Sequence, residues 1–256
     1  MSRSEAAEFF GERVAWYDDG YDRVDSDGHA VRARMAAALQ LIGPGPGTVL
    51  DAGMGPGRLC AELAQQSWTV SGVDAAVEMV AAARERVPEA GDRFVRGEIE
   101  SLPFPGASFD AVTATGVLEY ANIPRALAEI ARVLRPGGRA VVSYPCPYSL
   151  YGNWKTRVYY RAVRLAKRLL RMPYPSMPRG AGSGLLRPGE LCERLSAAGL
   201  EPVSYEHCGY LALLSPVDIV LPRLAARIGQ ALEGRGPTWL ATQVIYEARK
   251  PAAQGC

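Results

Sequence analysis

The segment Thr48-Val-Leu-Asp-Ala-Gly-Met-Gly-Pro-Gly-Arg-Leu-Cys-Ala-Glu-Leu-Ala64 decides the fold of this 256-residue chain. The apolar run 48–50 is typical of a buried parallel strand, and apolar residues recur at helical spacing over 59–64. Gly53, Gly55 and Gly57 lie between these two runs, where they allow a tight turn and a close approach of the backbone to a ligand. The predicted helix directs its free N–H groups and the positive end of its dipole at that ligand.

The spacing of the glycines separates two kinds of nucleotide site. The dinucleotide fingerprint Gly-x-Gly-x-x-Gly would need a third glycine where Arg58 stands. The pattern is instead Asp-x-Gly-x-Gly-x-Gly over 51–57, which resembles the first motif of class I S-adenosylmethionine (SAM) dependent methyltransferases. This resemblance implies that Asp51 helps to hold the methionine end of SAM and that the glycines pass beneath the ligand.

A second predicted strand, 68–73, is followed by Asp74. A carboxylate at this place can accept hydrogen bonds from both ribose hydroxyls of a bound nucleoside, in NAD enzymes as well as in SAM enzymes. The alternative is a helix N-cap before the predicted helix 76–87, and the two roles are compatible. Asp74 therefore indicates nucleoside binding without distinguishing SAM from NAD.

Further motifs of the same family occur in register. The segment 97–105 resembles the adenine loop of the quinone-biosynthesis branch, which implies that Glu98 accepts a hydrogen bond from the exocyclic amine of adenine. The pair Tyr17-Asp18 matches an N-terminal lid that commonly covers the cofactor in this family. The other residues that we assign to the cofactor site are Ala75, Met79, Ile99 and Thr115.

The catalytic candidates are Tyr120 and His207. The family has Leu-Glu-His after its fourth strand, predicted here over 108–115, whereas this chain has Tyr120 in place of the histidine. A phenol with a reference pKa near ~10 is a poor general base at neutral pH, so we interpret Tyr120 as a wall of the substrate site. The chain contains only two histidines, and His207, at the end of a late strand, is a better candidate base than His29. A structural role for His207 is the alternative.

Alternating strands and helices predict an α/β fold with a doubly wound, Rossmann-like sheet. The family resemblance covers about residues 45–145 and implies seven strands with an antiparallel last strand. We expect a single methyltransferase domain over 1–256, with helical additions. Its predicted parts are an N-terminal helical lid (1–46), a SAM-binding core (47–145), two cap insertions (146–186 and 208–236) and C-terminal sheet elements (187–207 and 237–250).

The segment 154–171 carries seven positive residues and no acid, in the pattern of a basic amphipathic helix. It is interpreted as an interfacial helix that contacts anionic lipid, as a clamp for an anionic substrate, or as a lid with a solvated basic face. The linker 172–189 is rich in proline and glycine, and 208–232 is a second, apolar insertion. Together the two insertions could wall a large apolar pocket.

Composition excludes several classes of function. The net charge of +2 does not indicate a nucleic-acid partner, and the five scattered cysteines show no metal or redox spacing. No clustered acid set resembling the metal site of catechol methyltransferases appears, so we expect no metal. No signal peptide or membrane span is evident, so we expect a cytoplasmic protein with at most a peripheral membrane contact through 154–171.

Taken together, the motifs predict a SAM-dependent methyltransferase that acts on a small, hydrophobic metabolite, with oxygen favoured as the acceptor atom. C-methylation of an aromatic or prenyl substrate is the first alternative. The second is a SAM-binding protein of the same fold that does not methylate, such as a cyclase, an isomerase or a membrane adaptor.

Overall fold

A computed structural model describes residues 3–170 and 185–252 of the chain. Its centre is a seven-stranded sheet in the order β3-β2-β1-β4-β5-β7-β6. Strands β1 to β5 run parallel, and β7 is antiparallel to both of its neighbours. This arrangement confirms the predicted α/β fold with an antiparallel last strand. The strands are β1 Gly47–Ala52, β2 Trp68–Asp74, β3 Phe94–Arg96, β4 Phe109–Ala114, β5 Leu134–Pro145, β6 Glu201–Tyr210 and β7 Ala241–Arg249.

Helices cover both faces of this sheet, which makes it doubly wound. On one face, a core cluster joins α3 (Ser26–Ile42), α4 (Arg58–Gln65) and α5 (Val77–Arg86) to the strands. On the other face, α6 (Ile123–Val133) and α9 (Pro188–Ala197) pack in a second cluster. The central strands are buried from both sides, which explains why their sequences are continuous apolar runs rather than alternating ones.

The N-terminal region, predicted as a helical lid over 1–46, forms three helices. Helix α1 (Arg3–Gly11) ends where the chain turns, and α2 (Val14–Asp22) follows before α3 begins. The turn brings the rings of Phe10 and Tyr17 to 5.7 Å in an edge-to-face contact, which a continuous helix would not allow at this spacing. Asp25 caps α3 by accepting a hydrogen bond from the Gly28 N–H at 2.8 Å.

The basic segment is helical as far as the structure describes it. Helix α7 (Leu150–Trp154) continues through a π-helical stretch, Lys155–Tyr159, into α8 (Tyr160–Leu169). Leu165 and Leu169 are 60% and 75% exposed, so the apolar stripe is not covered by the described residues. Arg171 and the linker part 172–184 lie outside the described residues.

The insertion after β6 forms two short helices, α10 (Val217–Val220) and α11 (Pro222–Leu232). Trp154 of α7 donates a hydrogen bond from its indole N–H to the Ser215 carbonyl at 2.7 Å, so the two insertions meet. Within 3–170 and 185–252, no helix combines the length and the apolar character that crossing a membrane requires.

Candidate cofactor and acceptor site

The glycine turn after β1 has two different parts. Gly53 (φ +80°) and Gly55 (φ +53°) adopt left-handed backbone and line a cavity. The N–H of Gly53 donates to the Val73 carbonyl at 2.8 Å, which ties the turn to the end of β2. Gly57 (φ +78°) points away from the cavity, and a Cβ there would lie 2.9 Å from the Cβ of Ala83 in α5. Gly57 therefore permits helix packing, while Gly53 and Gly55 can approach a ligand.

Asp74 joins this turn to the carboxyl end of β2. Its Oδ2 accepts the Gly55 N–H and its Oδ1 accepts the Ala76 N–H, both at 2.9 Å. Burial raises the pKa of Asp74, while these backbone hydrogen bonds oppose that rise. Ala76, not Asp74, is the N-cap residue of α5, so the predicted N-cap role is wrong in detail. The Ala75 N–H is a third backbone donor to this carboxylate, and the lone-pair site that the three donors leave can accept a ligand hydroxyl.

The cavity above the turn, here named the glycine-turn cavity, has a volume of about 290 Å³. Its wall combines the carboxyl ends of β1 and β2 with the loop after β3 and with helices α1 and α2. The predicted cofactor residues on its wall are Gly53, Gly55, Asp74, Ala75, Met79, Glu98, Ile99 and Tyr17. These residues fit SAM by their chemistry, because the left-handed glycines leave the wall without side chains and Asp74 and Glu98 supply acceptors for hydroxyl and amine donors.

Three predicted cofactor residues, Asp51, Gly57 and Thr115, do not line the cavity. Asp51 is only 2% exposed, its Oδ1 accepts the Thr113 hydroxyl at 2.8 Å, and its Oδ2 accepts the Cys60 thiol at 3.5 Å. Burial raises the pKa of Asp51 to about 6, against the lowering effect of these two hydrogen bonds. The structure therefore places Asp51 beneath the turn, as a buried link between β1, β4 and α4.

Ion pairs hold α2 over the cavity. Asp18 contacts Arg58 Nε and Arg86 Nη2, each at 2.7 Å, and Asp22 contacts Arg58 Nη2 at 2.5 Å. Partial burial raises the pKa of Asp18, but the two arginines outweigh this effect and the pKa is lowered. Sequence reasoning missed this role, and the only signal was Arg58 in the place of a third glycine. The ion pairs position Tyr17, whose ring lies 3.6 Å from where a Cβ on Gly55 would stand.

A second cavity of about 440 Å³, here named the aromatic cavity, adjoins the first. Phe10, Tyr17, Gly116 and Tyr120 line both cavities. The remaining aromatic residues on its wall are Phe9, Trp16, Tyr21, Tyr151 and Tyr160. A ligand in the second cavity can therefore contact a ligand in the first at this shared wall.

Charged residues also line the aromatic cavity, and sequence reasoning missed all of them as site residues except Lys155, which belongs to the basic segment 154–171. They are Arg23, Asp27, Arg34 and Lys155. Lys155 donates to Asp27 at 2.6 Å and to the Tyr151 hydroxyl at 3.1 Å. Tyr151 in turn donates to the buried Asp218 at 2.7 Å, and burial raises the pKa of Tyr151. This chain of hydrogen bonds orders the wall where α3, α7 and α10 meet.

The two catalytic candidates differ in position, since only Tyr120 lies at the cavities. Tyr120 lines both cavities, and burial raises its pKa, so the phenol stays protonated at neutral pH. His207 lines neither cavity. It contacts the Tyr148 hydroxyl at 2.5 Å, and burial lowers its pKa. The neighbouring Cys208 packs in the α3 cluster, so His207 projects from the opposite face of the edge strand β6.

The second histidine, His29, contacts Glu233 at 3.0 Å and is also absent from both walls. Neither histidine of the chain is thus placed to act as a base in these cavities. Over the two described ranges, no group of three or more His, Cys, Asp or Glu side chains has metal-binding geometry.

Comparison with known proteins agrees with this geometry. The methyltransferase domain family matches residues 50–142. The chain is 36% identical over 160 residues to the demethylmenaquinone methyltransferase of Thermus thermophilus, covering 60% of this chain and 72% of that protein. It is 38% identical over 136 residues to the corresponding protein of Deinococcus radiodurans, covering 51% and 56%.

A third relative is the biotin biosynthesis bifunctional protein BioHC of Cellvibrio japonicus, 33% identical over 59% of this chain. The matched part spans only 29% of BioHC, as it spans 56% of the Deinococcus radiodurans relative. The similarity to these relatives therefore concerns the shared domain.

Solved structures share the fold over almost the whole chain. The cyclase SpnF superposes with a TM-score of 0.63 at 17% identity, covering 99% of this chain and 98% of that one. A Haloferax volcanii methyltransferase, solved in complex with the activator Trm112, also gives a TM-score of 0.63, at 20% identity and with 94% and 97% coverage. With the sequence similarity and the paired cavities, these findings show that the chain belongs to the class I SAM-dependent methyltransferases.

Proposed function

We propose that this enzyme transfers the methyl group of SAM to a small, largely aromatic or apolar acceptor bound in the aromatic cavity. The observation that carries the proposal is the wall shared by the two cavities, formed by Phe10, Tyr17, Gly116 and Tyr120. A methyl donor in the glycine-turn cavity and an acceptor in the aromatic cavity would meet there, and such positioning accounts for much of the rate of a two-substrate reaction.

In this proposal, residues on each wall of the glycine-turn cavity contact a different part of the cofactor. SAM, when bound, supplies an electrophilic methyl group on a cationic sulfonium. Asp74 accepts the ribose hydroxyls, Glu98 accepts the adenine amine, and the bare backbone at Gly53 and Gly55 admits the ligand. Phe10 of α1 and Tyr17 of α2 close the cavity and exclude water from the transfer.

Oxygen is the favoured acceptor atom, and the acceptor needs acidity of its own. Neither histidine lines the aromatic cavity, and the buried Tyr120 phenol holds its proton. A phenol, an enol or a carboxyl group ionises without a strong protein base, so these hydroxyl classes suit the cavity better than an aliphatic alcohol. The aromatic walls favour a flat or apolar body for the rest of the acceptor.

Carbon methylation is the second candidate. Two relatives are named demethylmenaquinone methyltransferases, after a quinone substrate. An ionised aromatic hydroxyl also activates the adjacent ring carbon, so the same cavity supports either outcome without a protein base. The methylated atom is read directly from the product, because a ring methyl and a methoxy group have different chemical shifts.

The test separates cofactor binding from turnover. SAM, S-adenosylhomocysteine and NAD are titrated calorimetrically, and a panel of phenols, quinols and aromatic carboxylic acids is then screened with methyl-labelled SAM. We expect binding of the first two ligands, no binding of NAD, and label in at least one acceptor. SAM binding without labelling of any acceptor would contradict the proposed methyl transfer and favour a protein that binds SAM without methylating.

A matched pair of variants tests where the acceptor binds. Gly20 lines only the aromatic cavity and has no heavy atom within 4 Å of its Cβ position, so Gly20→Phe projects a ring into that cavity. Gly189 is equally open but lies in α9, on neither wall. We expect Gly20→Phe to lower labelling at least ~10-fold with unchanged SAM affinity, because the ring displaces the acceptor. Equal labelling by Gly20→Phe and Gly189→Phe would contradict the assignment.

The exposed face of α8 supports a peripheral membrane contact during uptake of a lipophilic acceptor. Leu165 and Leu169 are exposed beside the exposed arginines of the same helix, as in interfacial helices. We expect Arg157→Glu with Arg161→Glu to reduce sedimentation with anionic vesicles. The exposed pair Arg125→Glu with Arg187→Glu is the charge-matched control, and equal loss in both pairs would contradict a specific surface.

A further inference from the structure

A buried cation stands where the two cavities meet. Arg34 of α3 is only 9% exposed and lines the aromatic cavity. Its guanidinium lies against Gly116, which belongs to both walls and has a φ of +71°. A Cβ on Gly116 would stand 2.7 Å from Arg34 Nη1, so the glycine leaves room for this charged group. The cation is thus held beside the place where donor and acceptor would meet.

The charge of Arg34 has no close counter-ion among the residues that the structure describes. No carboxylate within the described residues lies within 4.0 Å of its guanidinium nitrogens. Glu119 attracts it from farther away, and Glu119 Oε2 is itself buried without a hydrogen-bond partner. Tyr21 is a hydrogen-bond partner of the Arg34 side chain, and this contact leaves other donors of the five guanidinium N–H groups for a ligand. The positive charge itself is costly to bury without a negative partner. This arrangement suits a ligand that brings its own negative oxygen.

A second unsatisfied group on the same wall supports the presence of a polar ligand. Gln243 lines the aromatic cavity, and its Oε1 is buried without a hydrogen-bond partner. Buried polar atoms in native proteins are nearly always paired with protein, water or ligand. Gln243 can accept a hydrogen bond from a hydroxyl of the acceptor, while Arg34 can pair with an anionic oxygen.

We propose that Arg34 is the counter-ion of an acceptor that binds as an oxyanion, namely a phenolate, an enolate or a carboxylate. The proposal rests on the proposed methyl transfer and narrows its substrate class. Arg34 then replaces the missing base, because it stabilises the ionised acceptor relative to the neutral one.

The proton and the charges balance without another reactant. The acceptor hydroxyl gives its proton to solvent on binding. The oxyanion then forms a bond to the methyl carbon as the sulfur–carbon bond breaks, and the electron pair of that bond stays on sulfur. The cationic SAM and the anionic acceptor thereby become neutral S-adenosylhomocysteine and a neutral methylated product.

Several other charged or titratable groups surround Arg34. Tyr17, Tyr21, Glu119 and Cys208 interact with its charge. Asp51 is also close enough to interact with it. Across the aromatic cavity, the charges of Lys155 and Asp27 neutralise each other in their ion pair at 2.6 Å. Arg34 is therefore the cation on this wall that faces the shared boundary without an ion-pair partner among the described residues.

The test measures the ionisation of a bound probe directly. The full chain is saturated with S-adenosylhomocysteine, and 4-nitrophenol is titrated with pH while the absorbance of its phenolate is followed. We expect the bound probe to ionise at least one pH unit below the free probe, a tenfold shift of the equilibrium. Arg34→Met should remove this shift and weaken phenolate binding ~10- to 100-fold. Arg34→Lys should retain part of the shift and part of the affinity. Arg125→Met, outside both cavities, should change neither the shift nor the affinity.

A double variant guards against misfolding. Arg34→Met alone leaves Glu119 without a nearby positive charge, whereas Arg34→Met with Glu119→Gln removes both charges together. The double variant should also lack the shift. The inference is overturned if the ionisation of bound 4-nitrophenol is still shifted in either folded variant. It is also overturned if the wild-type protein binds neither 4-nitrophenol nor benzoate, which serves as a carboxylate probe.

The same variants distinguish this inference from the proposed function. If the wild-type enzyme methylates an acceptor and Arg34→Met does so at the same rate, the role of Arg34 is overturned. The assignment as a methyltransferase would still stand. Absence of methyl transfer to every acceptor would overturn the proposed function, while the ionisation of the bound probe would still decide whether this cavity selects oxyanions.

Discussion

Replacing Gly57 by alanine should separate the packing glycine of the turn from its ligand-facing glycines. At Gly57, a Cβ would stand 2.9 Å from the Cβ and 3.0 Å from the Cα of Ala83. The Cα belongs to the backbone of α5, so relief requires a shift of one helix. At Gly55, the nearest atom to the new Cβ is Tyr17 Cε1 at 3.6 Å, an ordinary contact.

The expected destabilisation follows from two terms. The left-handed backbone at φ +78° costs alanine about 1–2 kcal/mol, and the contact with Ala83 adds about 1–3 kcal/mol of overpacking. We therefore expect Gly57→Ala to lower the free energy of unfolding by about 2–5 kcal/mol, and Gly55→Ala by only the first term. Gly91→Ala is the control, because Gly91 has a φ of +50° with nothing within 4 Å of the Cβ position.

Urea unfolding followed by circular dichroism compares the three variants, and calorimetry measures SAM affinity. Stability should be lost mainly in Gly57→Ala, and affinity mainly in Gly55→Ala, whose new methyl group occupies the glycine-turn cavity. If Gly57→Ala is no less stable than Gly91→Ala, the packing of α4 on α5 does not require a glycine, and the reasoning is refuted.

Three further predictions concern carboxylates. Asp74→Ala should weaken SAM binding by ~1.5–3 kcal/mol in calorimetry, and an unchanged dissociation constant in a folded variant would contradict its assignment. Asp18→Asn should increase amide hydrogen exchange in α2, because it removes the ion pairs with Arg58 and Arg86. The pKa of Asp18 is lowered, so the stability that these ion pairs contribute is present above the unfolded pKa and is lost as pH falls through the folded pKa. Equal exchange in both proteins would argue that the ion pairs do not hold α2. For Asp51, whose pKa is raised from 3.8 to about 6, stability is full below the unfolded pKa and lost as pH rises through the folded one. Asp51→Asn should therefore remove a stability loss of at most ~3 kcal/mol between pH 4 and 7, and parallel urea midpoints in both proteins would refute this effect.

The sequence alone predicted the fold and most of the glycine-turn cavity because that part is local. Apolar runs bounded by glycines define parallel strands, and the carboxyl ends of such strands meet at one edge of the sheet. Asp74 ends β2, Glu98 comes shortly after β3, and the two ligand-facing glycines lie in the turn after β1, so all four are placed at the carboxyl ends of parallel strands. The antiparallel last strand followed in the same way from the family resemblance.

Tertiary structure decided the roles that depend on which way a side chain points. His207 and Cys208 are adjacent in β6, and strand alternation sends them to opposite faces of the sheet, so a shift of one residue would have reversed their places. Asp51 lies near the end of β1, where the sequence placed it, yet its side chain is buried beneath the turn, where Thr113 and Cys60 donate hydrogen bonds to it.

The aromatic cavity was beyond reach from sequence for a further reason. Its wall joins residues far apart in the chain, and Arg34 meets Gly116 only because α3 packs against β4 in the fold. In sequence, a lone arginine in a helix is an ordinary solvated residue. The sequence thus determined the α/β class, the glycine turn and the cofactor class, since these rest on local pattern, whereas side-chain direction and long-range packing determined the aromatic cavity and its buried cation.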